Sequence, residues 1–88
     1  MKILVRKRFI NDVSKIRSVE LIDEVLYLLD LSHAAIKAED IPGFKMMRGY
    51  KVFARIKLND FRIGIHVEKE VLIFVCILPR SEIYKQFP

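Results

Sequence analysis

An α+β fold is predicted by three features of the sequence. Residues 52–68 alternate apolar and polar side chains with period two, the mark of strands with one buried and one wet face. Residues 71–78 are apolar almost without interruption, as in a strand covered on both faces. Ahead of them, residues 7–38 space their apolar side chains as helices do. The expected order is β-α-α-β-β-β(-α): two N-terminal helices packed on a small, mostly antiparallel twisted sheet. At 88 residues the chain is one domain, residues 1–88, large enough to bury roughly 60–65% of its unfolded surface.

The elements follow in order. Lys2–Arg6 (KILVR) is short and aliphatic and reads as a strand. From Lys7 to Ile16, Phe9, Val13 and Ile16 fall at helical spacing with Ile10 beside them, giving a short amphipathic helix. Ser18 is placed to cap a second helix, and Glu20, Asp23 and Glu24 suit its positive end. That helix carries a wide stripe of Val19, Ile22, Val25, Leu26 and Leu29. It is expected to run to about Ala38 and to be closed by Pro42-Gly43. Phe44–Arg48 reads as an edge strand ended by Gly49.

In the next strand Val52, Ala54, Ile56 and Leu58 alternate with Phe53, Arg55 and Lys57. In the one after, Phe61, Ile63, Ile65 and Val67 alternate with Arg62, Gly64, His66 and Glu68. A two-residue turn at Asn59-Asp60 sets Leu58 opposite Phe61 and Lys57 opposite Arg62. Two cations facing each other across a sheet destabilise it, so their retention hints at a need for positive charge. Glu68-Lys69-Glu70 is a turn, Val71–Leu78 the buried strand, and Ser81–Phe87 a short terminal helix or extended tail.

Charge is unevenly distributed. The formal net charge is +5. Residues 1–17 hold six Lys or Arg and one Asp, residues 20–40 six Asp or Glu and one Lys, and residues 44–66 six Lys or Arg and one Asp. The sheet region is therefore basic and the long helix acidic. A single charged run is ordinarily just a solvated face, but opposite signs on two halves favour a one-sided basic surface and an anionic partner.

Several chemistries have no support. The single cysteine, Cys76, lies in an apolar run and reads as a small core residue. No His/Cys/Asp cluster has metal-ligand spacing, no glycine-rich phosphate loop is present, and no cofactor is implied. His33 and His66 lie on different elements, and a lone helical histidine such as His33 is ordinarily a surface residue. The longest apolar run is too short to span a bilayer, so a cytoplasmic protein without a membrane partner is expected. An active site here would be built from Arg, Lys and Tyr. Phosphodiester chemistry suits that set, because cations stabilise the charge that develops as phosphorus is attacked. RNA suits it further, since its own 2′-OH can be the nucleophile.

Short motifs also carry a family likeness. Gly49-Tyr50, Arg55-Ile56, Asp60-Phe61-Arg62-Ile63, the apolar strand and Arg80-Ser81-Glu82-Ile83-Tyr84 resemble, in order and spacing, the RelE/ParE superfamily. Its members are the toxins of type II toxin–antitoxin pairs. The resemblance spans essentially the whole chain and implies the same fold. It implies a metal-independent endonuclease that cuts mRNA in the ribosomal decoding site by 2′-OH attack and so inhibits translation. It also implies a cognate antitoxin as partner. Carried over by position, the catalytic residues would be Arg55, Lys57, Arg62, Arg80 and Tyr84. Arg62 and Arg80 would clamp the scissile phosphate, and Arg55 or Lys57 would aid proton transfer or the leaving group. Tyr84 would stack on a base or deprotonate the 2′-OH. Two departures stand out: Pro79 occupies the place of a histidine in many relatives, and Phe53 that of a lysine in some. His66, on the Arg62 face but farther out opposite Phe53, could compensate for the missing histidine. The rival readings are a ParE-like toxin that binds and inhibits DNA gyrase, and a family member without catalysis.

Overall fold

The computed structural model describes all 88 residues. Strand β1 is Lys2–Val5, helix α1 Lys7–Ser14 and helix α2 Val19–Ala34, followed by one 3-10 turn at Ala38–Asp40. Then come β2 (Phe44–Met46), β3 (Phe53–Leu58), β4 (Phe61–Glu68), β5 (Val71–Pro79) and helix α3 (Arg80–Gln86). This is the α+β order read from the sequence, with the tail a helix. The five strands lie in the order β1-β5-β4-β3-β2. β1 runs parallel to β5 and every other pair is antiparallel.

Alternation decides which side of the sheet each residue serves. Ala54, Ile56, Ile63, Ile65, Leu72, Phe74 and Ile77 form the main core with Phe9, Val25 and Leu28 from the two helices. Phe9 meets Phe74 edge-on at 5.5 Å between ring centres. β5 is interior to the sheet and buried on both faces, which accounts for its unbroken apolar sequence. On its second side Cys76 packs with Ile83 and Phe87 of the terminal segment. A bulge lies here: Gly64 pairs with Cys76 and Ile65 with Phe74, which leaves Val75 without a partner in β4.

The Asn59-Asp60 turn has the expected register, Leu58 against Phe61 and Lys57 against Arg62. Asn59 adopts φ +54°, a conformation that Asn tolerates better than most side chains. Ser18 caps α2, its hydroxyl accepting from the Leu21 amide at 3.2 Å. α2 is shorter than predicted, ending at Ala34 rather than near Ala38. Ala35 leaves the helix in an extended conformation, and the 3-10 turn then delivers Ala38 and Ile41 into the core. Burial of that pair outweighs the weak helix signal of residues 35–38. The amine of Met1 donates to the freed carbonyls of His33 and Ala35, each at 2.8 Å. β2 is likewise shorter than the predicted Phe44–Arg48.

Candidate nucleic-acid interface

The side of the sheet opposite α1 and α2 carries the alternate residues: Lys45 from β2, Phe53, Arg55 and Lys57 from β3, and Arg62, Gly64 and His66 from β4. Lys45 is the cross-strand neighbour of Arg55, and Lys57 that of Arg62. Four cations therefore occupy two rows of adjacent strands. The molecule contains three ion pairs: Arg8–Asp12, His66–Glu68 and Lys85–Glu82. None involves Lys45, Arg48, Arg55, Lys57, Arg62 or Arg80. A row of like charges without counter-ions opposes folding, and a polyanion relieves it on binding.

The α3 helix closes one side of this face. Its seat depends on Gly64, where a Cβ would stand 2.8 Å from Phe87 Cγ and 2.9 Å from Cys76 Sγ. Only a residue without a side chain leaves the Phe87 ring room to lie on the strand. Phe53 continues the stack, edge-on to Phe87 at 5.6 Å and beside His66 at 5.3 Å. Phe53, in the place of a lysine in some relatives, thus anchors the terminal segment to the sheet.

Between α3, β3 and the β2–β3 connection lies an open cleft of about 450 Å³. It is lined by Lys45, Arg48, Arg55, Tyr50 and Tyr84, with Met46, Met47, Phe87 and Pro88 completing its walls. Arg55 is half-buried, and its Nη1 donates to the Gly43 carbonyl at 2.5 Å. The same carbonyl accepts from the Lys57 amide at 3.0 Å, and Gly43, at φ +80°, lies so close to Lys57 that a Cβ would sit 2.5 Å from its carbonyl oxygen. Tyr84 is 62% exposed, so its ring and hydroxyl are open to a ligand.

Of the five predicted site residues, Arg55 and Tyr84 meet in the cleft, and the other three lie outside its lining. Arg62 folds back on the hairpin, its Nη1 donating to the carbonyls of Asn59 at 2.8 Å and Phe61 at 2.9 Å. Lys57 stands next to it, exposed. Arg80 opens α3, and its backbone amide donates to Asp60 at 2.8 Å, tying the end of β5 to the same hairpin turn. The five thus form two groups: Arg55 with Tyr84 in the cleft, and Lys57, Arg62 and Arg80 around the β3–β4 turn. His66 sits opposite Phe53, its Nε2 3.8 Å from Glu68 and outside the cleft. His33 is exposed near the end of α2, away from both groups. Cys76 is fully buried, and desolvation raises its thiol pKa above the ordinary value despite the nearby positive charge of Arg8. It is a packing residue with an unreactive thiol. No three His, Cys, Asp or Glu side chains gather as a metal site. No helix is long and apolar enough to cross a membrane.

Lys45, Arg48, Tyr50 and Phe87 of the cleft were not among the predicted site residues. The alternation of Lys45 was visible, but its neighbour depends on the β2–β3 register. The connection between those strands, residues 47–52, is longer than the short turns from which register can be read.

The β-α-α-β-β-β-α order and the mixed five-stranded sheet are those of a RelE-like fold. The chain is 28% identical over 89 residues to Toxin RelE3 of Methanocaldococcus jannaschii, with both chains covered completely. Among solved structures it is similar to a RelB–RelE antitoxin–toxin complex from Methanococcus jannaschii. That match has a TM-score of 0.81 at 25% identity, over 97% of this chain and 99% of the other. An archaeal RelE–RelB complex from Pyrococcus horikoshii OT3 shares the fold, with a TM-score of 0.73 at 14% identity, over 93% of this chain and 97% of that one. No protein-family model matches the sequence. Over its whole length the chain is thus similar in sequence and in fold to RelE toxins of type II toxin–antitoxin systems.

Proposed function

We propose that this chain is a RelE-family toxin, a ribosome-dependent mRNA endonuclease acting in the cytoplasm and neutralised by a cognate antitoxin. The observation that carries the reading is the basic face without counter-ions, continuous with a cleft that holds Arg55 beside an exposed tyrosine. In the reaction the 2′-oxygen of one nucleotide attacks the phosphorus on its 3′ side. The O2′–P bond forms and the P–O5′ bond breaks, leaving a 2′,3′-cyclic phosphate and a free 5′-hydroxyl. The protein must place the phosphodiester, accept the 2′-OH proton, and offset charge on the phosphoryl oxygens. Arg55, already oriented by Gly43, supplies that charge in a partly desolvated site. Tyr84, which lines the same cleft, takes the 2′-OH proton as its phenolate, and water protonates the departing O5′. Lys57, Arg62 and Arg80 hold neighbouring phosphates around the hairpin turn.

The relatives from Methanococcus jannaschii and Pyrococcus horikoshii were solved in complex with RelB. An antitoxin of this chain is expected to cover the same basic face, with acidic residues supplying the missing partners. Cleavage of ribosome-bound mRNA tests the reading. Arg55→Ala should lower kcat by about 100- to 1000-fold, the cost of one transition-state donor. Arg62→Ala, whose guanidinium also serves the hairpin turn, should lose less. Inhibition of gyrase supercoiling by the purified chain, with the message left intact, would replace this reading with that of a gyrase toxin.

A further inference from the structure

The connection between β2 and β3 adds a wall to the cleft that none of the predicted catalytic residues explains. Met47 donates to the Phe53 carbonyl at 2.8 Å and Tyr50 to the Met47 carbonyl at 3.1 Å. Gly49 turns the chain outward at φ +86°, with no other atoms near its Cα side. The Tyr50 ring is therefore carried on a closed loop rather than a loose one. Phe53 holds it edge-on, with centroids 5.5 Å apart and planes at 73°. Phe53 in turn rests on Phe87, which is buried. Despite this support, Tyr50 remains 48% exposed and lines the cleft. A ring whose orientation is fixed but whose surface is left in water adds little to the core. It has already lost the freedom that a ligand would otherwise have to take from it.

Lys45 and Arg48 line the same cleft as this ring, neither has an acidic partner, and no Asp or Glu lines the cleft. Met46 and Met47 add polarisable apolar surface. An aromatic platform in a cleft lined by cations fits the flat base and charged backbone of a single-stranded nucleic acid. The charge favours this ligand over an uncharged aromatic side chain. Tyr84 and Arg55 lie in the same cleft, so an occupant would be adjacent to the reacting phosphodiester.

We propose that Tyr50, with Lys45 and Arg48, forms a stacking subsite for the nucleotide next to the cleaved bond, so that the β2–β3 connection holds the message while Arg55 and Tyr84 act on it. The proposal rests on the endonuclease reading, but its test separates the two. Ribosomes programmed with an mRNA bearing 2′-O-methyl groups across the decoding-site codon cannot be cut, and toxin binding to them is measured directly. Tyr50→Ala should weaken binding roughly 10-fold or more, the range for loss of one base–aromatic stack. On cleavable message it should raise KM while kcat stays within about twofold, because the lost contact is made equally in ground and transition states. Tyr50→Phe should restore both values, since stacking needs the ring and not the hydroxyl. Lys45→Ala should weaken binding and flatten its salt dependence.

Wild-type binding by Tyr50→Ala would overturn the proposal, and so would failure of Tyr50→Phe to restore it. Weakened binding of an acidic antitoxin peptide with no change on the ribosome would also overturn it and assign the ring to the antitoxin. A wild-type protein that leaves cleavable message intact, yet depends on Tyr50 for binding, would refute the endonuclease reading while the subsite stands.

Discussion

On β3, Ala54 and Ile56 are fully buried against the helices, while Arg55 and Lys57, one residue away on the same backbone, face solvent or the cleft. β4 repeats the division: Ile63 and Ile65 are fully buried, whereas Arg62 and His66 are not. One side of the sheet is therefore filled for packing, and the other is left with cations beside cations. Glu20, Asp23, Glu24 and Asp30 are exposed on α2, and of these Glu24 reaches the hairpin turn, where its carboxylate accepts from Asn59 Nδ2. This separation gives the molecule a direction in an electric field. A polyanion is drawn to the sheet and repelled from α2, so approach and orientation are set before contact. The helix side secures the fold, and the open side gives up stability for a charged surface.

That contrast can be broken from either side. The largest stability effect should come from the packed face: Ile63→Ala should cost about 2–5 kcal/mol, read by chemical denaturation, while the basic face stays intact. Gly64→Ala lies on the boundary between the two. Its new methyl group must displace Phe87 or Cys76, so stability should fall by roughly 1–3 kcal/mol. Cleavage should fall beyond that loss, because the displaced segment carries Tyr84. A smaller effect should appear only in alkali. The buried Cys76 thiol ionises at higher pH when folded than when unfolded, so its contribution is complete below the ordinary thiol range. As pH rises through that range the unfolded chain loses its proton first, and stability declines until the folded thiol ionises as well. Cys76→Ala should lower stability at neutral pH and flatten that alkaline decline in denaturation midpoints. The smallest change should come from the open face itself. Lys57→Ala should raise stability by roughly 0.2–1 kcal/mol by removing a like-charge neighbour of Arg62, with the gain shrinking as salt is added.

Period-two patterning made the two sheet faces and the Lys57–Arg62 pair legible without coordinates, because a two-residue turn leaves little freedom of register. The burial of β5 on both sides was legible for a related reason, its unbroken apolar run. The end of α2 was not, since it is decided by where Ala38 and Ile41 find a core, a tertiary fact. The site was legible in part. Arg55 and Tyr84 do come together in one cleft. Arg62 and Arg80 do not join them there, because Arg62 bonds to its own hairpin turn and Arg80 is held at that turn through its backbone amide. Lys45 and Tyr50 stayed hidden because a six-residue connection conceals register, and because an exposed tyrosine in a loop looks like any other until its ring is seen resting on Phe53.

The strand order has a bearing on synthesis. β1 finds its only partner in β5, the last of the five strands in chain order, and α3 follows directly after. A nascent chain carries its first strand unpaired until β5 has left the exit tunnel. Tyr84 reaches the cleft later still. Long-range pairing of this kind slows folding, because the loop must close before any contact rewards it. The cleft therefore takes shape only after α3 has emerged and seated on the sheet, and that delay relative to the first strand is built into the strand order.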